Sequence, residues 1–416
     1  MIAISIVSIL VAITGLVISL PSHAANRRAA REANLRSAWM TFARDSATLD
    51  HAYAEGTSGG LPALSQSHSK FGGLVGYPEW CYSGGRLRTL KDGIKETDVV
   101  SDEVRRDDWI TPELRKSKLL PYPKWNLITN LRVVSGEGPH WSSMVFATHS
   151  IDGTYETGFS FKLYEGEFYD FFNTSVGMGV LAAFHHAPGH PVIPALRQLR
   201  NRVWETHTTS GTKSVTTQGY FALATLACLT IVVNDEGAHM LIHRRGNEVA
   251  DNRLMIGPVP SGSHSKFLDT DDPVTFLDTL KREFAEELLG IDETGESPHK
   301  RIVDEAVCGL VTHNNTYLLG VGFYPVQGYM SVLTMCVIDE RSASVKAWMS
   351  DHQVDSTIEA FRSNYEGTML SVPFERQEIG VLRRIHRRTP CLGEIARIID
   401  EHFDDIEEEV MRKRDL

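Results

Sequence analysis

The run Tyr220 to Gly246, "YFALATLACLTIVVNDEGAHMLIHRRG", constrains the fold more than any other part of the chain. Leu226 to Val233 and His239 to His243 are β-branched or apolar, and Asp235-Glu236-Gly237 supplies a tight turn between them, so the pattern predicts a β-hairpin. A loop follows, "NEVADNRLMIGPVPSGSHSKFLDTDD", and then a predicted helix from about Pro273 to Leu289. Asp271 or Asp272 is placed to cap it, Pro273 suits its first turn, and Gly290 stands just past its last periodic residue.

On that helix Leu277, Leu280, Phe284 and Leu288 fall three and four apart, which makes one buried stripe. Glu283, Glu286 and Glu287 keep the same spacing and share a second face, about a third of a turn from the first at roughly 100° per residue. Three like charges this close repel. One reading is a solvated acidic face balanced by Lys281 and Arg282. The other is a set of carboxylates held for a hard divalent cation, which takes oxygen ligands and substrate phosphates in its shell.

The order hairpin, glycine-bearing loop, "REFAEE", "LGI" resembles the Nudix hydrolase family. The family box reads Gly, five residues, Glu, seven residues, then Arg-Glu-aliphatic-x-Glu-Glu-x-Gly-aliphatic. Arg282, Glu283, Phe284, Glu286 and Glu287 match in order, and Gly290 and Ile291 match one residue late. Where the box has its earlier Glu this chain has Val274, and where it has Gly this chain has Leu268. Gly262 is the nearest suitable glycine and Asp271 and Asp272 the nearest acids, so a lengthened loop would have to supply both functions. The likeness covers about residues 217–345, and "EFYDFFNTS" upstream looks like a segment that precedes the box in some longer bacterial members.

The resemblance implies an α/β fold, a Nudix-type α/β/α sandwich with a mixed sheet. It implies hydrolysis of a diphosphate linked to another moiety, with Mg²⁺ or Mn²⁺ as cofactor and a small phosphorylated substrate, a nucleotide derivative. Glu286 and Glu287 would ligate the metal. Glu283 would bind metal or position the attacking water, and Arg282 would fix a glutamate by a charge-assisted hydrogen bond. Arg244 and Arg245, after the second hairpin strand, would meet phosphate oxygens or be plain surface charge. The alternative is a catalytically inactive Nudix-fold module that senses a nucleotide or other ligand at the membrane. A membrane-tethered scaffold without a small-molecule site is a third possibility.

Elsewhere the chain divides by composition. Ile2 to Leu20 carries no charge and is long enough to cross a bilayer. A cleaved leader and a retained anchor compete for it. "SHA" before Ala25 suits cleavage, but no Lys or Arg precedes the run, while Arg27, Arg28, Arg31 and Arg36 follow it. The positive-inside rule therefore favours a single-pass transmembrane helix with the body facing the cytoplasm. The expected organisation is an anchor at 1–22, a juxtamembrane helix and linker at 23–73, an α+β accessory domain at 74–210, and the Nudix-like domain with C-terminal helices at 211–416. Within 74–210, "LITNLRVVS", "MVFATHS" and "GFSFKLYEG" read as strands, "FYDFFNTSVGMGVLAAF" as helix, and Pro194 to Glu205 as a further helix.

The net charge of −11 speaks against a nucleic-acid partner. The five cysteines are scattered without a CxxC pair and read as reduced buried thiols, with Cys228 and Cys336 in the core. "HHAPGH" (His185, His186, His190) lacks an acidic or Cys partner and reads as a polar loop rather than a metal site. "DDIEEEVMRKRDL" reads as a solvated terminal helix. The sequence leaves the oligomeric state open.

Overall fold

The computed structural model describes residues 25–44, 49, 74–100, 115–122, 126–135, 143–186, 204–209, 212–217, 221–246, 254–267, 269–270, 272–291, 299–361, 367–385 and 387–412. The apolar run Ile2 to Leu20 lies outside them. Among the described residues no helix is long and apolar enough to cross a membrane.

The chain is mixed α/β, built on two mixed sheets. The first contains β1 (Ile94–Val99), β2 (Met144–Thr154), β3 (Gly158–Glu167), β4 (Trp204–Thr209) and β5 (Thr212–Thr217), in the order β1-β3-β2-β5-β4. Only the β1–β3 pair in it is parallel. The second contains β6 (Ala224–Val233), β7 (Ala238–Arg245), β8 (Ile256–Pro258), β9 (Ser261–Ser263), β10 (Thr316–Phe323), β11 (Met330–Asp339) and β12 (Gly367–Pro373). Its order is β10-β11-β6-β7-β12, with β8 on β7 and β9 on β6. Here β6 and β11 are parallel and the other pairs antiparallel. Every residue of β10 and β11, and all of β6 but Thr225, is buried. That is why these strands are near-continuous apolar runs with no polar alternation.

The β6–β7 hairpin forms as its sequence predicts. The Asn234 side chain accepts hydrogen bonds from the Glu236 and Gly237 amides, at 2.9 and 3.1 Å, and shapes the turn. Its strands pair only near that turn, from Ile231↔Met240 to Val233↔Ala238. Beyond it they splay. β9 takes the edge of β6 at Thr225–Ala227, and β8 takes the edge of β7 at Ile242–Arg244. The loop between hairpin and helix is thereby drawn into the sheet.

The two sheets are joined. β2 bridges to Ser265 and Leu223 of the second sheet's segment, with Phe146 N donating to the His264 carbonyl at 2.8 Å. Residues 75–89 run beside β10, bridging Val75↔Phe323, Cys81↔Gly320 and Thr89↔Tyr317. Gly320 permits that approach, since a Cβ there would lie 2.9 Å from Cys81 Sγ and 3.1 Å from the Trp80 carbonyl oxygen. One buried apolar cluster accordingly extends from Leu35 to Val410. The boundary expected between the accessory and Nudix-like units, at residues 210 and 211, lies outside the described residues; β4 and β5 on either side of it pair with each other.

Among the described residues the longer helices are α1 (25–44), α2 (Leu127–Ser135), α3 (Gly177–His186), α4 (Phe276–Glu287), α5 (Lys300–Ala306), α6 (Ala343–His352), α7 (Arg376–Arg384), α8 (Pro390–Glu401) and α9 (Phe403–Met411). α1 lays Trp39 against Phe172 and Phe42 against Gly179.

Four expectations need correction. "LITNLRVVS" is helix α2, not a strand: Leu127, Leu131 and Val134 make a helical stripe, and Asn126 caps it by accepting the Thr129 N–H at 3.0 Å. Trp204 and Glu205 open strand β4, while residues 194–203 lie outside the described set. α9 is not a solvated helix, because Phe403, Ile406 and Val410 are buried. Cys228 and Cys336 are core residues and Cys81 and Cys391 are buried as well, but Cys308 is exposed, so the expectation of a buried thiol fails there.

Candidate functional site

α4 begins at Thr275, not at Asp271 or Asp272. The Thr275 hydroxyl accepts the Asp278 amide at 3.1 Å, and Asp278 accepts the Thr275 amide at 3.0 Å, a reciprocal capping box. The helix stops before Gly290, whose φ of +66° suits a glycine there. Its stripe of Leu277, Leu280, Phe284 and Leu288 is buried as the spacing predicts.

The acidic face is not solvated. Glu283 is 8 % exposed, Glu287 7 %, and Arg282 only 2 %. Glu286 is half-buried. Charged groups this deep persist only when paired and hydrogen-bonded. Arg282 satisfies several at once. Its Nη2 donates to Glu283 Oε1 at 2.6 Å and to the Ser263 carbonyl at 2.5 Å, and its Nη1 to the Ser265 carbonyl at 3.2 Å and to Ser265 Oγ. Its Nε lies 3.5 Å from Glu286 Oε1. Glu287 Oε2 accepts the Ser261 amide at 3.0 Å.

β9 is thus the opposite wall of the site. Gly262, at its middle, is in close approach to Glu283: a Cβ on Gly262 would lie 2.0 Å from the carboxyl carbon. Beside it His264 is fully buried. Its Nδ1 is 2.6 Å from Thr279 Oγ1, one turn before Glu283, and its ring stacks on Phe276. Burial, then the charge of Arg282, pushes its pKa down to about 3, so it is neutral.

The structure therefore brings Arg282, Glu283, Glu286 and Glu287 together around β9. Arg244 and Arg245 end β7 on the other side of the splay. Arg244 is exposed between β8 and β12, and the half-buried Arg245 lies against Gly257 of β8. Val274 is buried and apolar, so that position supplies no acid. Asp272 is exposed; Leu268 and Asp271 lie outside the described residues. Ser261, Ser263, His264 and Ser265 were not singled out by sequence reasoning. The signal available was "PSGSHS", a run of small and polar residues around the glycine.

Among the described residues no group of three or more His, Cys, Asp or Glu side chains is gathered so as to hold a metal ion. Glu283 and Glu286 are turned to Arg282, and Glu287 to the β9 backbone. In donor chemistry the set still suits a hard divalent cation, since all three groups are carboxylates on one helix face.

No protein-family model matches the chain. No curated protein matches it either.

Proposed function

We propose that the chain is a Nudix-type hydrolase that cleaves a diphosphate linked to another moiety and depends on Mg²⁺ or Mn²⁺. On this reading the second sheet, with α4 and the C-terminal helices, is its Nudix-type α/β/α sandwich. The observation that carries the reading is the contact of Gly262 with Glu283. A glycine upstream of the Arg-Glu pair stands against the carboxylate, although the loop between them is longer than the family box allows.

Glu283, Glu286 and Glu287 would hold the ion, which supplies charge neutralisation at the phosphates and a more acidic bound water. The chain's own groups orient that set. Arg282 ties Glu283 and Glu286 to the Ser263 and Ser265 carbonyls, the Ser261 amide aligns Glu287, and Gly262 leaves room for the carboxylate. Arg282 is a positioning residue, buried among carbonyls and carboxylates.

A second reading, a ligand-sensing module without turnover, is favoured by one observation. Buried Val274 stands where the box has an acid. Calorimetric titration of Mg²⁺ and Mn²⁺ into wild type and Glu287→Gln, with phosphate release from a panel of nucleoside diphosphate derivatives, separates the two. Gln keeps an oxygen for the Ser261 amide, so the fold should stay within about 1 kcal/mol while metal affinity falls and turnover drops by orders of magnitude. Metal binding without turnover in wild type selects the sensing module. Identical metal binding by the two proteins ends the metal-site reading.

For localisation we propose that Ile2 to Leu20 is a retained anchor with the body on the cytoplasmic side, on the strength of the arginines that follow it. N-terminal sequencing after membrane fractionation checks this. A mature chain starting at Ala25 in a soluble extracellular fraction would rule it out.

A further inference from the structure

The other end of the β8–β9 ribbon meets charge of the opposite sign. α8 opens at Thr389, whose hydroxyl accepts the Leu392 amide at 3.3 Å, with Pro390 in the first turn. Arg388, just before it, is 3 % exposed. Its guanidinium folds onto that first turn. Nε, Cζ and Nη2 lie 2.6, 3.1 and 3.1 Å from where a Cβ on Gly393 would sit, an approach that only glycine allows.

Arg388 is poorly satisfied for so deep a cation. Nη1 donates to the Ile385 carbonyl at 2.9 Å. Nε is buried with no hydrogen-bond partner among the described residues. Glu394, the acid whose charge it feels, is already held by Arg397 at 2.6 and 2.7 Å. Burial pushes the Arg388 pKa down to about 10, which leaves it cationic at neutral pH. A buried guanidinium in this state is costly unless an anion meets it.

Of the neighbouring arginines, Arg245 lies on the face of β7 turned to Gly257 and Thr389, and Arg244 on the opposite face. Ile256 of β8 bridges to Arg388, donates its amide to the Arg387 carbonyl at 2.8 Å, and is the register partner of Arg244. A Cβ on Gly257 would lie 3.4 Å from the Thr389 methyl and 4.0 Å from Arg245 Cδ.

We propose that the junction of β7, β8 and the first turn of α8 binds a phosphate group, free or esterified, through Arg388 and the helix N-terminus, with Arg245 beside it. A helix N-terminus favours anions by its dipole, and guanidinium forks match phosphate oxygens. The site requires no divalent cation and goes beyond the hydrolase reading.

The test uses the 416-residue chain in EDTA. Inorganic phosphate and a nucleoside monophosphate are titrated at constant ionic strength against a chloride control, by calorimetry and by thermal midpoint. Wild type should bind both more tightly than chloride, and Arg388→Met should weaken binding about 10- to 100-fold, the loss of charge-assisted hydrogen bonds. Gly393→Ala keeps the charge but displaces the guanidinium, and should weaken phosphate in the same direction. It carries the test should Arg388→Met not fold. Glu287→Gln should bind phosphate as wild type does, which separates this site from the metal site. A tighter response to the ester identifies an esterified ligand and an equal response free phosphate, and both support the site. Wild-type binding no better than chloride, or unchanged binding by a folded Arg388→Met or by Gly393→Ala, overturns it.

Discussion

α4 and α8 both pack on β6, and both bury a glutamate beside an arginine at helical spacing, yet they are wired differently. In α8 the network is local. Arg397 grips Glu394 three residues back and Glu401 four residues on, and Arg383 of α7 takes Asp400. Glu394 is 2 % exposed, but its partner is on its own helix. In α4 the buried Arg282 reaches off the helix to two carbonyls of the segment that contains β9, and Glu287 takes a β9 amide. One arrangement joins side chain to side chain within α8 and its neighbour α7. The other ties three carboxylates to the backbone of a neighbouring strand, so their positions depend on tertiary structure. Charge clustering alone therefore does not distinguish a structural network from a site; the direction of the contacts does.

The largest test of that contrast pairs Arg282→Met with Arg397→Met. Each strands a buried carboxylate and should cost about 3–5 kcal/mol in chemical denaturation. They should part in excess Mg²⁺ or Mn²⁺, which is expected to recover some of the loss at Arg282 and none at Arg397. Equal behaviour would erase the distinction between the two networks.

Gly262→Ala comes next. The new methyl would displace the Glu283 carboxylate from Arg282, costing about 1–3 kcal/mol as overpacking. Its divalent-cation response should be lost with it. A variant that keeps wild-type stability and metal response would remove β9 from the site.

His264 provides a pH test on the α4 side. An unfolded histidine takes up its proton near the ordinary value of 6.5, while the folded one waits until about 3. Stability from this residue is therefore full above pH 6.5 and is lost as pH falls between those values. His264→Phe should flatten the stability profile between pH 6 and 4 by about 1.4 kcal/mol per pH unit, after losing about 1 kcal/mol with the Thr279 contact. An unchanged slope would mean that His264 titrates normally.

The smallest effect belongs to Lys300, which links α4 to α5 through Asp278 at 2.8 Å and Asp304 at 2.9 Å. Lys300→Met should cost about 0–1 kcal/mol, because the pairs are partly exposed. Burial raises the Asp278 carboxyl, but the hydrogen bonds from Lys300 and Thr275 outweigh it and leave its pKa below 3.8. The contribution is thus present above pH 3.8 and lost as pH falls through the folded value. Thermal midpoints at pH 7 and pH 3 check both statements.

Much of this was legible in the chain. Apolar periodicity and turn chemistry are local properties, so the β6–β7 hairpin, the buried stripe of α4 and the stop at Gly290 could be read from residues a few places apart. The same local reading misassigned Leu127–Ser135, where β-branched composition masked a helical stripe capped by Asn126. It also placed the start of α4 on aspartates upstream of Thr275, because several residues in that loop are able to cap and only the folded backbone selects one.

The sequence by itself determined that Glu283, Glu286 and Glu287 share a helix face with Arg282 beside them, since helix geometry leaves no alternative at that spacing. It determined the charge pattern around Ile2 to Leu20 and the apolar runs of β6, β10 and β11. Only the tertiary structure decided that this acidic face is buried, that Gly262 rather than a residue nearer the helix stands against Glu283, and that Arg388 is drawn onto the first turn of α8. These depend on the splay of β6 from β7 and on the insertion of β8 and β9 between them. Such long-range pairings are set by which surfaces the whole chain can bury together, and no window of neighbouring residues contains that information.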